Sequence, residues 1–113
     1  MTTQELLQAA KAACPQLAAL EEAQKDQAIF AMADTLTADA AAILAANAQD
    51  LDAAQGRISD VMLDRLRLTQ ARIEAMADGM RQVAALPDPV GEVLAEVVRP
   101  NGLVIRKTAV PMG

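Results

Sequence analysis

Histidine, tryptophan and tyrosine are absent from these 113 residues, and cysteine, serine and phenylalanine occur once each, as Cys14, Ser59 and Phe30. Without histidine, neither a Ser-His-Asp nor a Cys-His relay can be built inside the chain. The usual His-bearing catalytic zinc site is excluded for the same reason. A single cysteine forms no internal disulfide, which fits a reducing compartment. No block of like charge exceeds two residues, and the net charge is −5. An acidic chain with scattered arginines and one aromatic offers neither a phosphate-tracking stripe nor a stacking platform, so nucleic acid is not an expected partner. The start lacks a basic segment followed by an apolar run, so no secretory signal is expected. No apolar run nears the length that spans a bilayer. The expected setting is cytoplasmic, without a membrane.

What is present is aliphatic. Apolar residues make up 53% of the chain and aromatics 1%, so a core must be assembled from Ala, Leu, Ile, Val and Met. Alanine is the best helix former, and its company of Leu, Met, Glu, Gln, Lys and Arg argues for helices. Small side chains bury little area each, so such a core stabilises weakly at about 25 cal/mol per Å². Charge is uneven: residues 1–56 hold eight acids against two bases, and residues 57–113 hold seven against eight.

Five helices are predicted. Leu7, Ala10, Cys14, Leu17 and Ala18 make one stripe over residues 3–20. Pro15 sits inside it, and a kink or break is expected just before it. Ile29, Met32, Ala33 and Leu36 mark a second helix over residues 22–36. Thr37 is the expected N-cap of a third, with Asp39 in its first turn and Gly56 closing it after about Ala54. Ser59 caps a short helix over 60–67. Thr69 caps a longer one over 70–86, striped by Ile73, Met76, Ala77, Met80, Val83 and Ala84 and stopped by Pro87. Gly79 weakens its interior.

The period then changes. Val93–Arg99 and Leu103–Val110 are rich in Val and Ile, and Pro100-Asn101-Gly102 between them predicts a β-hairpin, Asn-Gly tolerating the positive φ of a tight turn. A two-stranded hairpin is marginal alone, and its edges expect a partner strand from further sequence or another subunit. The end, Val110-Pro111-Met112-Gly113, reads as a cut. The domains expected are a helical region over 1–86 and a hairpin over 87–113.

Four groups invite a functional reading. Asn47 and Asp50 lie at i, i+3 on the third helix, with Asn47 on a stripe shared with Ala40, Leu44 and Leu51. They read as a polar helix edge bonding a neighbouring loop, or as a ligand contact. Asp64, Arg65, Arg67 and Arg72 read as a helix junction tied by Arg65, or as an anion site, since arginine meets phosphate bidentately. Cys14 reads as core packing rather than a nucleophile, because no cation cluster lies near it in sequence. Glu92 and Glu96, four apart on the first strand, read as one solvated face rather than an acid–base pair. Gly91 alone is no phosphate loop, and no G-x-G-x-x-G occurs.

Taken in order, these segments resemble a family. Asn47-Ala48-Gln49-Asp50 resembles the N-A-x-D stretch near the start of gamma-glutamyl phosphate reductases. Leu63-Asp64-Arg65-Leu66, then Leu68-Thr69 and Ala71-Arg72-Ile73, resembles their most distinctive early segment. Asp88-Pro89-Val90-Gly91, Gly102-Leu103, Arg106 and Val110-Pro111-Met112-Gly113 match the turn and hairpin that follow. Pro15, Gln70 and Met112 depart from the pattern. The resemblance implies an α/β fold of the aldehyde dehydrogenase type, of which this chain is the N-terminal helical layer and a hairpin leading into a missing nucleotide-binding domain. It implies NADPH-dependent reduction of L-glutamyl 5-phosphate to L-glutamate 5-semialdehyde in proline biosynthesis, through a cysteine thioester that accepts hydride. It implies a homo-oligomer. It assigns no catalytic, cofactor-binding or metal residue to these 113 positions, and Cys14 is not the implied nucleophile. The alternative is a stand-alone helical interaction or assembly module without catalytic activity.

Overall fold

A computed structural model describes residues 1–112, so Gly113 of the terminal match lies outside the described residues. Five helices precede two strands: α1 Thr3–Ala18, α2 Glu22–Ala38, α3 Ala40–Ala54, α4 Asp60–Leu66, α5 Gln70–Ala84, β1 Val93–Val98 and β2 Val104–Thr108. The helical part plus antiparallel hairpin is the predicted architecture. Two compact units emerge: residues 23–86, and residues 1–22 with those from Pro87 onward.

Among the described residues, the 23–86 unit holds all the buried ones. Its core is Ala33, Ala40, Ile73, Ala77 and Ala84, with Asn47 the buried polar group. Four alanines and one isoleucine make the aliphatic core that the composition requires. The α3 stripe faces inward as expected, with Ala40 and Asn47 buried and Leu44 and Leu51 half-buried. On α5, Ile73, Ala77 and Ala84 are buried, but Met76 and Val83 stay exposed. Ser59 and Thr69 cap α4 and α5 by accepting from Met62 N and Arg72 N at 3.3 and 3.1 Å. Gly56, at φ 75°, follows the end of α3.

The junction of α2 and α3 corrects the expected cap. Thr37 lies inside α2, where its hydroxyl donates back to the Ala33 carbonyl at 3.2 Å. A threonine in the last turn of a helix finds the carbonyl four residues back close at hand, and the bond takes it out of competition for capping. Asp39 occupies the N-cap position instead, without a side-chain capping bond. α3 leaves α2 at 66°. Among the described residues no single helix is long and apolar enough to cross a membrane.

In the other unit, α1 opens on a capping box. Glu5 N donates to Thr2 Oγ1 at 3.3 Å and Thr2 N donates to Glu5 Oε2 at 2.6 Å. The Thr2 amide, and secondarily its hydroxyl, hold the Glu5 carboxyl below the usual carboxylate range. The helix runs through Pro15 from Thr3 to Ala18, so of the kink or break expected there the break is not realised. Pro15 has no N–H to offer the carbonyl of Lys11, an exposed residue four positions earlier. α1 buries no residue: Leu7 is 66% and Leu17 59% exposed, and Cys14 is half-buried. The expected core position of Cys14 is therefore not realised, since its helix buries no residue.

After Pro87, Asp88 N donates to Glu22 Oε1 at 3.1 Å, and Val90 N donates to Asp88 Oδ1 at 3.0 Å. Strands β1 and β2 pair antiparallel with a register shift between Val93 and Ala95. Their turn differs from a two-residue Asn-Gly turn. Arg99 N donates to Leu103 O and Gly102 N to Arg99 O, which makes a three-residue loop of Pro100, Asn101 and Gly102. Only Gly102 has positive φ, at 88°, while Asn101 Oδ1 accepts from Leu103 N at 3.1 Å. Proline fixes the first loop residue at negative φ and so places the left-handed position at the third.

Gly79 sits inside α5, and a Cβ placed there meets nothing within 4 Å. Glycine in a helix interior costs about 0.5–1 kcal/mol against alanine. Gly79→Ala is expected to stabilise the chain by that amount, read as a higher thermal midpoint in far-UV circular dichroism.

Candidate functional site

The chain's chemistry-bearing side chains concentrate where α3 meets the α4–α5 junction. The cause is local. Helix α4 stops at Leu66 and α5 starts only after Thr69, so backbone groups at Leu66 and Leu68 have no helical partner. Asn47, seven per cent exposed on the inner face of α3, supplies both. Its Nδ2 donates to the Leu66 carbonyl at 2.8 Å, and its Oδ1 accepts from Leu68 N at 2.8 Å. The expected loop bond is thus present, and it is bidentate. Asp50 is exposed and is not drawn into it.

A second tie grips the same junction from outside, and Arg72 makes it. Its Nη1 donates to the Asp64 and Arg67 carbonyls at 2.5 and 2.6 Å, and its Nη2 meets both Asp64 carboxylate oxygens at 3.1 and 3.2 Å. This corrects the reading that gave the structural role to Arg65. Arg65 points from the exposed side of α4, while Arg72 rises from the first turn of α5 directly against the end of α4. A guanidinium is a rigid fork of donors, so one arginine meets two carbonyls and a carboxylate at once. The signal was the eight-residue spacing of Asp64 and Arg72 across a capped break, which no periodicity rule reads.

Asp64, Arg65, Arg67, Leu68, Arg72 and Met76 line an open cleft of about 430 Å³. Its electrostatics are simple: Arg72 and Asp64 neutralise each other, and the exposed Arg65 and Arg67 side chains have no hydrogen bond or ion pair among the described residues. The cleft holds two spare cations but no nucleophile and no free base, since its one carboxylate is engaged. Elsewhere, Arg81 joins Asp34 of α2 at 2.9 Å and Asp78 at 3.1 Å. The Asp34 bond, first, raises the Arg81 guanidinium above its ordinary value. Sequence reading missed this 47-residue link, for which there is no local signal. Glu96 pairs with Arg106 at 2.6 Å on the hairpin. Glu92 precedes β1, and the irregularity between Val93 and Ala95 separates it from Glu96, so their spacing does not define a shared face.

In Rossmann-type folds a dinucleotide sits on a glycine-rich turn between a strand and a helix N-terminus. Here every helix precedes both strands, and the positive-φ glycines 56, 91 and 102 lie after a helix or in turns. No such turn occurs among the described residues. Among them no group of three metal-ligating side chains occurs either.

No family model matches the chain. Individual proteins do. A gamma-glutamyl phosphate reductase from Neisseria meningitidis serogroup A is 57% identical over 111 residues, which span 98% of this chain and 26% of that protein. One from Streptococcus suis is 56% identical over 114 residues, spanning 99% and 27%. The chain matches the N-terminal quarter of gamma-glutamyl phosphate reductases. The fold agrees: a crystal structure of gamma-glutamyl phosphate reductase from Thermotoga maritima superposes with a TM-score of 0.88 at 37% identity, covering 95% of this chain and 27% of that one. The chain spans about a quarter of the length of the reductases it matches.

Asn47→Ala strips a donor and an acceptor of their partners at a half-buried junction, and each lost bond costs about 1–1.5 kcal/mol. A loss of about 2–3 kcal/mol is expected from urea unfolding. Arg72→Ala is expected to cost about 1–2 kcal/mol, whereas Arg65→Ala stays within about 0.5 kcal/mol of the parent.

Proposed function

We propose that the chain is the N-terminal part of an NADPH-dependent reductase that converts L-glutamyl 5-phosphate to L-glutamate 5-semialdehyde in proline biosynthesis. The observation that carries the reading is identity above half, sustained over 111 residues, with proteins named for that activity. The name gives a reductase; a nicotinamide donor follows from reduction of an acyl phosphate to an aldehyde, and NADPH is the donor this reading adopts. The whole enzyme is read as an aldehyde dehydrogenase-like, homo-oligomeric, cytoplasmic protein. Residues 1–86 are its helical region, and the hairpin from residue 87 leads into its nucleotide-binding domain.

Within that enzyme these residues serve architecture. The cleft lacks a nucleophile and a free base, and the one thiol, Cys14, stands on α1. Asn47 and Arg72 hold the helical region in shape.

Two outcomes test this. The purified chain alone is expected to show no NADPH oxidation dependent on L-glutamyl 5-phosphate. A chimaera in which the chain replaces the segment it matches in the Neisseria meningitidis reductase is expected to turn over within roughly tenfold of the parent, a barrier difference of about 1.4 kcal/mol. A folded but inactive chimaera would remove the reading.

A further inference from the structure

We propose that the cleft at the α4–α5 junction binds phosphate monoesters, with the phosphate held between Arg65 and Arg67 and an apolar substituent laid against Leu68, Ala75 and Met76. This goes beyond the reductase reading and does not depend on it.

The charge balance of the cleft carries the inference. Three arginines and one aspartate line its open space of about 430 Å³. Arg72 is spent on the Asp64 carboxylate and on the Asp64 and Arg67 carbonyls. Arg65 stands in the last turn of α4 and Arg67 at its C-cap. Neither side chain has a hydrogen bond or ion pair among the described residues, so two uncompensated positive charges line one cleft on a chain of net charge −5. The backbone that carries them is fixed. Asn47 holds the Leu66 carbonyl and the Leu68 amide at 2.8 Å, and Arg72 holds the Arg67 carbonyl at 2.6 Å. Capture of an anion then orders two side chains and not the chain beneath them, which lowers the entropic cost of binding.

The donors select the anion. A phosphate monoester brings three acceptor oxygens and about −1.5 to −2 charge at pH 7, enough to engage two guanidinium forks together. A lone carboxylate matches one fork and leaves the other cation uncompensated. Two cations are too few to follow a nucleic-acid backbone, whose binding draws on many phosphates. The rest of the lining selects the substituent. Leu68 is half-buried, Met76 is 43% exposed, and Ala75 lies between them and the arginines in kind, small and apolar. A thioether side chain adapts its shape to an apolar group and makes favourable contacts with aromatic rings. With no nucleophile and no free base in the cleft, the ligand is bound and not turned over.

The test is titration of the nitrogen-15-labelled chain with phenyl phosphate, inorganic phosphate and benzoate at constant ionic strength, followed by amide shifts. Phenyl phosphate is expected to shift the Arg65, Arg67, Leu68 and Met76 amides saturably, with a dissociation constant of about 1–10 mM. Inorganic phosphate, which lacks the ring, is expected to bind about threefold to tenfold more weakly. Benzoate, which keeps the ring but carries one charge, is expected not to saturate. Arg65→Ala and Arg67→Ala are each expected to weaken phenyl phosphate about fivefold to tenfold at unchanged helix content by circular dichroism. Arg57→Ala, which removes an exposed arginine outside the cleft, is expected to leave binding unchanged. Shifts that rise linearly, or that fall as much with Arg57→Ala as with the cleft variants, would reduce the effect to general charge and overturn the site. Benzoate binding as tightly as phenyl phosphate would overturn the choice of phosphate, and inorganic phosphate doing so would overturn the apolar half. The same titration on the chimaera with the Neisseria meningitidis reductase is expected to give the same losses with Arg65→Ala and Arg67→Ala. Binding to the chain but not to the chimaera would mean that the longer polypeptide claims the two arginines, and the proposal would fall whether or not the chimaera is active.

Discussion

Two backbone groups at the break between α4 and α5 face inward with no helix to satisfy them, and the Asn47 carboxamide answers both at 2.8 Å. A primary amide is the one side chain that presents a donor and an acceptor side by side, as a peptide group does. Asn47 in effect lends α3 a piece of sheet-like edge, aimed at the junction. The geometry holds only if α3 presents position 47 inward and if α4 ends at Leu66, so one pair of bonds fixes the phase of α3 and the place of the break together. Arg72 closes the same break from its outer side. The surrounding core of alanines cannot impose that precision by shape, since small side chains interdigitate little. Polar satisfaction supplies the specificity that packing of this composition lacks.

The two units differ in how complete they are. Residues 23–86 bury an alanine core, an isoleucine and a satisfied polar group, and no buried side-chain nitrogen or oxygen there lacks a partner. The unit formed by residues 1–22 and the hairpin has ordered backbone bonds but no buried residue. Helices whose caps and hydrogen bonds are local form from local sequence; strands gain their stability from faces, and faces require neighbours. The contrast follows from what each kind of element draws on.

That difference also marks what was legible in the sequence. Ser59 and Thr69 announced two helices because capping is a short-range device, and both cap as expected. Asn47 stood out as polar on an apolar stripe, which foretold a bond to a loop without saying which loop. The family resemblance, read from Asp64-Arg65-Leu66 and its neighbours, agrees with the relatives. Arg65 and Arg72 were not separable by type or spacing, because only the direction in which α5 departs decides which guanidinium meets the end of α4. Thr37 failed as a cap because its hydroxyl had a nearer acceptor in its own helix. Cys14 failed as a core residue because periodicity states which face is apolar and not whether anything lies upon it.

The extra residue in β1 has a consequence for tolerance to change. Val93 pairs with Thr108 and Ala95 with Lys107, so Leu94 has no partner of its own. It resets the odd–even alternation of the strand, and the segment leading in from Gly91 is out of step with the segment running to the turn. Length changes upstream of Leu94 can therefore be absorbed at a position already irregular, while the aliphatic pairs beyond it keep their sides. Loss of Leu94 itself would restore regular alternation and turn one portion of the strand over against the other. The hairpin thus carries its own reading frame, with a single leucine as the spacer that sets it.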